Sequence, residues 1–205
     1  MDAILGQVVV LGASGMLLTG LTVLWRKGVP AYIRAFKWQS WLLAGMTAIV
    51  GYLGHEPQLY WVAVMLFLLK GVGLPLLLNA TERRHGTHQE LRPYVNAEVS
   101  LLVGGMLVLF AYVVTSPWMA VTKLPTRGGL PIAMALLFIS LFIIVRRKKA
   151  ITHVIGFLML ENAIALLAVV GTYGVPILVE LGVFLDALMG FLVMQIFIYD
   201  IHETF

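Results

Sequence analysis

Five ionisable side chains fall inside long apolar stretches of this sequence: Lys70, Glu98, Glu161, Glu180 and Asp186. A charge at the centre of a bilayer costs about 2.5 to 3.5 kcal/mol on insertion scales, so such residues usually face protein or water and usually have a function. Removal from water disfavours the charged forms of acids and amines, which brings proton uptake and release toward neutral pH. We therefore predict that these residues translocate protons.

Three of the five share one depth if the apolar stretches are helices. Lys70, Glu161 and Asp186 each stand ten or eleven residues after the start of their stretch. At a rise of about 1.5 Å per residue they lie about 15 to 17 Å into the membrane, near its midplane. We expect Glu180 nearer the outer face and Glu98 nearer the cytoplasmic face. The five ionisable residues would then lie at depths that together cover most of the membrane thickness.

Two roles are possible for Lys70: a charge that moves, or one half of a permanent ion pair. If it approached Glu161 or Asp186, its positive charge would hold a proton off the acid, and its departure would let the proton return. The alternative is a permanent ion pair that satisfies both groups. The segment KGVGLP at 70–75 favours movement, because proline removes a backbone hydrogen bond and glycine does not resist a bend. The same glycines would equally admit a close neighbouring helix.

The elements that carry these residues are transmembrane helices. Sixty per cent of the 205 residues are apolar, 12% are charged and the mean hydropathy is +0.95, values that exclude an ordinary water-soluble domain. A spanning helix needs about 20 apolar residues. Seven stretches are predicted to span, with the second and fifth completed by flanking residues: 3–25, 38–53, 59–78, 95–114, 130–145, 151–171 and 175–199.

The cations between these stretches predict the orientation. Eleven Lys and Arg residues fall in the first, third and fifth connections, and only Lys123 and Arg127 fall in the others. By the positive-inside rule the N-terminus is outside and the C-terminus is cytoplasmic. The basic pI is therefore a topology signal and not a sign of nucleic-acid binding. His153, at the cytoplasmic start of the sixth stretch, is either an interfacial residue or a donor of protons to Glu161.

Redox centres and metal sites are not expected. There is no cysteine, which excludes disulfides, thiolate-bound iron–sulfur clusters and structural Cys-zinc sites. His85 and His88 lie in the longest hydrophilic segment, but two histidines without a third ligand make a weak metal site. We predict no cofactor, no metal and no catalytic residue in this chain.

The last third of the sequence resembles a known family. GFLMLEN at 156–162 and PILVELGVFLD at 176–186 resemble component E of hydrogenase-4, a membrane subunit of energy-converting hydrogenases and formate hydrogenlyases. From about residue 130 onward the chain is also similar to the NuoK subunit of respiratory complex I. The resemblance implies a four-helix membrane region at 1–125 and a NuoK-like three-helix region at 126–205.

The resemblance also implies roles for two residues. In the wider family two helix-borne glutamates belong to the proton path, which implies that role for Glu161 and Glu180. The first glutamate of NuoK stands about one turn earlier, where this chain has Leu158. A shift of three residues keeps roughly the same helix face. Asp186 fits the hydrogenase pattern better than the complex I pattern, whereas Lys70 and Glu98 rest on the physical argument.

The sequence thus predicts an all-helical, non-catalytic subunit in the bacterial or archaeal cell (inner) membrane. It would associate with antiporter-like and connecting-arm subunits of a group 4, complex I-like hydrogenase and contribute carboxylates to proton or sodium translocation. One alternative is a purely structural subunit that joins those partners. A second is an independent secondary transporter, disfavoured because no internal repeat is evident. A retinal protein is not expected, since the intramembrane lysine is in the third helix.

Overall fold

The computed structural model describes residues 2–26, 28–85, 96–146 and 150–172. Within these ranges nearly every residue is helical and no strand occurs. The elements in chain order are α1 (Asp2–Trp25), α2 (Val29–Leu53), α3 (Gln58–Met65), a π-helical segment (Leu66–Gly73), α4 (Leu74–His85), α5 (Ala97–Val121), a 3-10 turn (Pro125–Gly129), α6 (Leu130–Arg146) and α7 (Ala150–Thr172).

Five stretches of the described helices are long and apolar enough to cross a membrane, which makes the chain a multi-pass membrane protein. They are Ile4–Trp25, Gln58–Arg83, Ala97–Val121, Pro125–Arg146 and Ile151–Gly171. The 25-residue α2 is as long as these but is less apolar, because it carries two cations and the polar pair Gln39 and Ser40. The seventh predicted stretch, 175–199, lies outside the described residues. Seven spans and the orientation of the termini therefore remain predictions.

Helix α2 begins nine residues earlier than the sequence prediction of 38–53. It starts at Val29, with Pro30 in the first turn, where a proline is well tolerated. Arg34 and Lys37, which we expected in a connecting loop, are therefore helical. A cation near a helix end does not stop the helix, because its long side chain can extend toward the headgroup level.

Helix α5 continues seven residues beyond its predicted end and runs through Pro117. A proline inside a helix cannot donate to the carbonyl four residues before it, which here is that of Val113. The Ser116 hydroxyl donates to the Val113 carbonyl at 2.8 Å instead. A hydroxyl next to a proline thus keeps the backbone satisfied where no water is at hand, as a membrane helix requires.

The described helices form one packed bundle. Helix α1 contacts α2, α5 and α6, while α2 also contacts the π segment and α7. Two apolar clusters line the core, one around Val9, Met16 and Leu136 and the other around Phe36, Ile143 and Leu158. Contacts between α1 and α6, and between α2 and α7, cross the predicted division between 1–125 and 126–205. That division remains a prediction based on resemblance.

Candidate functional site

Lys70 and Glu161 form an ion pair inside the bundle. The Lys70 Nζ lies 3.6 Å from the Glu161 Oε2, and the two side chains are 1% and 3% exposed. Lys70 belongs to the π segment and Glu161 to α7, so the pair joins two helices that are far apart in sequence. Two opposite charges so deeply buried require each other, because either one alone would be strongly unfavourable in this environment.

The pair lies midway along both of its membrane spans. Lys70 is near the centre of the span Gln58–Arg83, and Glu161 is at the centre of Ile151–Gly171. About 15 Å of helix therefore separates the pair from either end of its spans. The common level that the sequence predicted for these two residues is the level at which they meet.

Helix α2 stands beside both partners and bonds to the residue next to each of them. The Asn162 Nδ2 donates to the Ser40 Oγ at 3.1 Å, and the Ser40 hydroxyl donates to the Phe36 carbonyl at 3.0 Å. The indole Nε1 of Trp41 donates to the Gly71 carbonyl at 3.0 Å. Ser40 and Trp41 are adjacent at the middle of α2, so one short stretch of this helix fixes the positions of Lys70 and Glu161.

The helix around Lys70 is wound as a π-helix over eight residues, Leu66–Gly73. The amide of Leu74 accordingly donates to the carbonyl of Leu69, five residues earlier. Such segments are rare and occur frequently at functional sites. A Cβ on Gly71 would lie 2.7 Å from the Trp41 Cδ1, so glycine is required for the indole to approach. Of the two roles that were open for KGVGLP, the close neighbouring helix is present at Gly71, whereas movement of Lys70 remains a prediction.

Two further buried amide oxygens belong to residues that adjoin this site in sequence: Gln39, next to Ser40, and Asn162, next to Glu161. The Gln39 Nε2 donates to the Met16 carbonyl at 3.3 Å. Within the described residues, neither the Gln39 Oε1 nor the Asn162 Oδ1 accepts a hydrogen bond, although both atoms are buried. Buried acceptors of this kind are unusual and are often found where water or protons pass.

The other predicted site residues lie elsewhere. Glu98 is exposed in the first turn of α5 and is not part of the central group. His153 is half-buried near the start of α7, eight residues before Glu161, or about 12 Å along the helix. Glu180 and Asp186 lie outside the described residues. No group of three or more His, Cys, Asp or Glu side chains that could hold a metal occurs in the part of the chain that the structure describes.

No role was predicted from the sequence for Ser40, Trp41 or Asn162. Trp41 is half-buried, whereas Trp25, Trp61 and Trp118 are more than half exposed. A usable signal was Pro75, since it stands four residues after Gly71 and so leaves the Gly71 carbonyl without its α-helical donor. A donor from another helix was therefore to be expected.

Comparison with known proteins shows similarity to a mycobacterial protein and to component E of hydrogenase-4. The chain is 34% identical to the uncharacterized protein Rv0085 of Mycobacterium tuberculosis over 185 residues, which cover 90% of this chain and 84% of that protein. It is 25% identical to hydrogenase-4 component E of Escherichia coli K12 and of Shigella flexneri over 204 residues, which cover 97% of this chain and 93% of each relative. The similarity to component E thus includes the N-terminal helices. No protein-family model and no solved structure matches the chain.

Proposed function

This chain belongs to the family of the mycobacterial protein Rv0085, and from that premise and its similarity to hydrogenase-4 component E we propose that it is a membrane subunit of a complex I-like, energy-converting hydrogenase. Its partners would be the antiporter-like and connecting-arm subunits in the cell membrane. In this proposal the chain performs no redox chemistry itself and translocates protons that are driven by electron transfer in other subunits. We expect the N-terminus outside and the C-terminus in the cytoplasm.

The observation that carries the proposal is the buried Lys70–Glu161 pair at the middle of both spans. With Lys70 close, Glu161 is held as a carboxylate. With Lys70 withdrawn, the buried carboxylate would lack its counter-charge and would take up a proton, because an isolated charge in an apolar environment is strongly disfavoured. Movement of one lysine is thus enough to load and unload one proton.

The π segment supports movement over a static pair. Rewinding π-helix to α-helix changes the rotation of every residue that follows the change, because the two helices have different numbers of residues per turn. Lys70 lies inside this segment, so rewinding would turn its side chain away from Glu161. The buried Asn162 Oδ1, on the residue after Glu161, would then be an acceptor for a hydrogen bond from water or from the protonated Glu161.

Glu98, His153, Glu180 and Asp186 complete the proposed path. His153 and Glu98 would serve the cytoplasmic half, which their positions near the starts of α7 and α5 favour. Glu180 and Asp186 would serve the outer half and the midplane, as their places in the sequence predict. Replacement of each by its amide or by glutamine tests these roles one at a time.

The decisive experiment replaces Glu161 with Gln in the assembled complex. Glu161→Gln keeps the size and hydrogen-bonding capacity of the side chain and removes only its charge and titration. Membrane vesicles would be assayed for hydrogenase electron transfer and for proton uptake with a pH-sensitive dye, after native electrophoresis to measure assembly. We expect the complex to assemble, with the lower stability that an unpaired Lys70 causes, and at least a tenfold fall in protons moved per electron.

Glu56→Gln is the matched control, because it makes the same chemical change at an exposed glutamate in the connection between α2 and α3. It should pump as the wild type does. Two results would refute the relay and favour the structural subunit. One is normal pumping by Glu161→Gln. The other is normal pumping by the double variant Lys70→Met and Glu161→Gln, in which neither buried charge is left without its partner.

A further inference from the structure

A groove opens between the N-terminal half of α1 and the segment that leads from the end of α5 through the 3-10 turn. Its volume is about 880 Å³, within the range of roughly 300 to 1,000 Å³ that is typical of small-molecule sites. Gly6, Val10 and Leu11 line one side, and Met119, Leu124 and Pro125 line the other. Neither Lys70 nor Glu161 lines the groove, and the proposed function does not use it.

The groove has the depth of one leaflet of a bilayer. Its lining on α1 runs from Gly6, in the second turn, to Ser14, near the middle of the helix. Eight residues of α-helix span about 12 Å, and half of a hydrocarbon core is about 15 Å. The groove therefore extends from the headgroup level almost to the midplane, with mostly apolar walls. These are the dimensions of a site for lipid acyl chains.

The mouth of the groove is positively charged. Lys123 and Arg127 both line it, and both are exposed. No other Lys or Arg lies at this end of the bundle in the ranges that the structure describes. The only two cations at this end thus converge on one groove, and the Thr122 carbonyl helps to orient the guanidinium by accepting a hydrogen bond from the Arg127 Nη1 at 3.4 Å. Trp118, one turn before, is 72% exposed, as expected of an aromatic ring at the headgroup level.

The wall that carries the cations is held rigidly. The Thr126 hydroxyl donates to the Val170 carbonyl of α7 at 2.6 Å, and Thr126 is fully buried. On the other side, a Cβ on Gly6 would lie 2.6 Å from the Pro125 carbonyl oxygen, so glycine permits this close approach of α1. The groove is therefore formed before any ligand arrives, which reduces the ordering cost of binding.

We propose that this groove binds one diacyl phospholipid whose anionic phosphate headgroup contacts Lys123 and Arg127 and whose acyl chains lie along α1. Charge complementarity selects an anionic headgroup, and the depth and apolar walls select a lipid over a free anion. A cation near a membrane surface contributes about 1 kcal/mol to attraction of anionic lipid. Loss of both cations should therefore weaken binding roughly thirtyfold.

The test uses the full chain purified in mild detergent and titrated with single lipids in native mass spectrometry. Phosphatidylglycerol should bind more tightly than phosphatidylcholine with the same acyl chains. The double variant Lys123→Gln and Arg127→Gln should lose about thirtyfold in phosphatidylglycerol affinity and leave phosphatidylcholine binding unchanged. Arg83→Gln, an exposed cation at the other end of the bundle, is the matched control and should bind as the wild type does. A phosphatidylglycerol with a photoactivatable acyl chain should label Val10, Leu11 or Met119.

Several results would overturn the proposal. Equal affinity for the two lipids, or wild-type affinity in the double variant, would show that Lys123 and Arg127 do not bind an anionic headgroup. Labelling of residues outside the groove would show that the acyl chains do not lie along α1. Displacement of phosphatidylglycerol by millimolar inorganic phosphate would make it an anion site instead of a lipid site. In the purified complex, cross-links from Leu11 to another subunit in place of lipid would make the groove a protein interface.

Discussion

The indole of Trp41 donates a hydrogen bond to the carbonyl of Gly71 at 3.0 Å, one residue from Lys70. Pro75 explains why that carbonyl needs a donor from another helix, because in an α-helix the amide at position 75 would have bonded to it. The Ser116 hydroxyl likewise donates a hydrogen bond to the Val113 carbonyl near Pro117, but this donor belongs to the same helix as its acceptor. At Pro75 the donor comes from α2, so the irregular helix that carries Lys70 is attached to its neighbour at that point.

Replacement of Trp41 with Phe should therefore loosen the π segment. Phenylalanine retains most of the ring packing but cannot donate, so a buried carbonyl loses a bond that contributes about 0.5 to 1.5 kcal/mol, and up to about 3 kcal/mol if it is left unsatisfied. We expect a fall of about 1 to 3 kcal/mol in unfolding free energy and faster hydrogen exchange in Leu66–Gly73. Trp61→Phe, at a position 77% exposed, is the control. Identical exchange in the two variants would show that the indole bond does not hold the segment.

Replacement of Gly71 with Ala tests the close approach of the same two residues. The new methyl group would lie 2.7 Å from the Trp41 Cδ1 and 2.8 Å from its Nε1, so the indole must move and its hydrogen bond must lengthen. Overpacking of this kind typically costs about 1 to 3 kcal/mol. Gly45→Ala on α2 meets nothing within 4 Å and should be neutral or slightly stabilising, because alanine is a better helix former than glycine. Thermal unfolding in detergent would compare the two variants, and equal stability would contradict the crowding at Gly71.

The sequence was sufficient to predict the five described spans and the positions of Lys70 and Glu161 midway along two of them, because both follow from local composition and helical rise. Lys70 and Glu161 stand midway in apolar stretches whatever surrounds them, and their shared level follows. The start of α2 was wrong because Arg34 and Lys37 lower local hydropathy without breaking a helix. Apolarity reports preference for lipid, whereas helix ends depend on proline, glycine and capping.

The side chains that contact Lys70 and Asn162 could not be predicted from one sequence, because these contacts depend on which helices are neighbours. Glu161 and Asp186 were the candidates for Lys70; packing of the described helices brings Glu161 within 3.6 Å of it, and Asp186 lies outside the described residues. Ser40 and Asn162 look unremarkable in the sequence, and their hydrogen bond spans 122 positions. The functional roles of the site residues remain predictions, because geometry shows where a proton can be held and not whether it moves.

The Lys70–Glu161 pair should show strong energetic coupling. Lys70→Met or Glu161→Gln alone leaves one buried charge without its partner and should cost about 3 to 5 kcal/mol. The double variant removes both charges and should cost much less than the sum of the single variants. Unfolding free energies in detergent would give the coupling as a double-mutant cycle. Additive losses would mean that the 3.6 Å approach contributes no stability and that each charge is satisfied by other groups.

Shortening of Asn162 to Ala tests whether α2 positions α7. The variant removes the donor to the Ser40 hydroxyl and leaves a cavity next to Glu161, so we expect a loss of about 1 to 3 kcal/mol. Ser40→Ala removes the acceptor and should leave the buried Asn162 amide without its partner, at a similar cost. If the two losses arise from one hydrogen bond, the double variant should be no less stable than the worse single variant. Thr22→Val, which removes the hydroxyl of an exposed residue on α1, is the control for a lost hydroxyl.

Arg146 supports a last prediction, because it was counted among the cations that set the topology but is only 3% exposed. Its Nη1 donates to the carbonyl of Leu24 at 2.8 Å, in the last turn of α1, where a cation also interacts favourably with the helix dipole. Arg146→Met keeps an unbranched apolar stem but removes the guanidinium with its charge and donors, and should cost about 2 to 4 kcal/mol. Arg83→Met, at an exposed position, changes the charge count equally and should cost less than about 0.5 kcal/mol. Thermal unfolding would measure the difference, and equal stability of the two variants would mean that Arg146 acts only through topology.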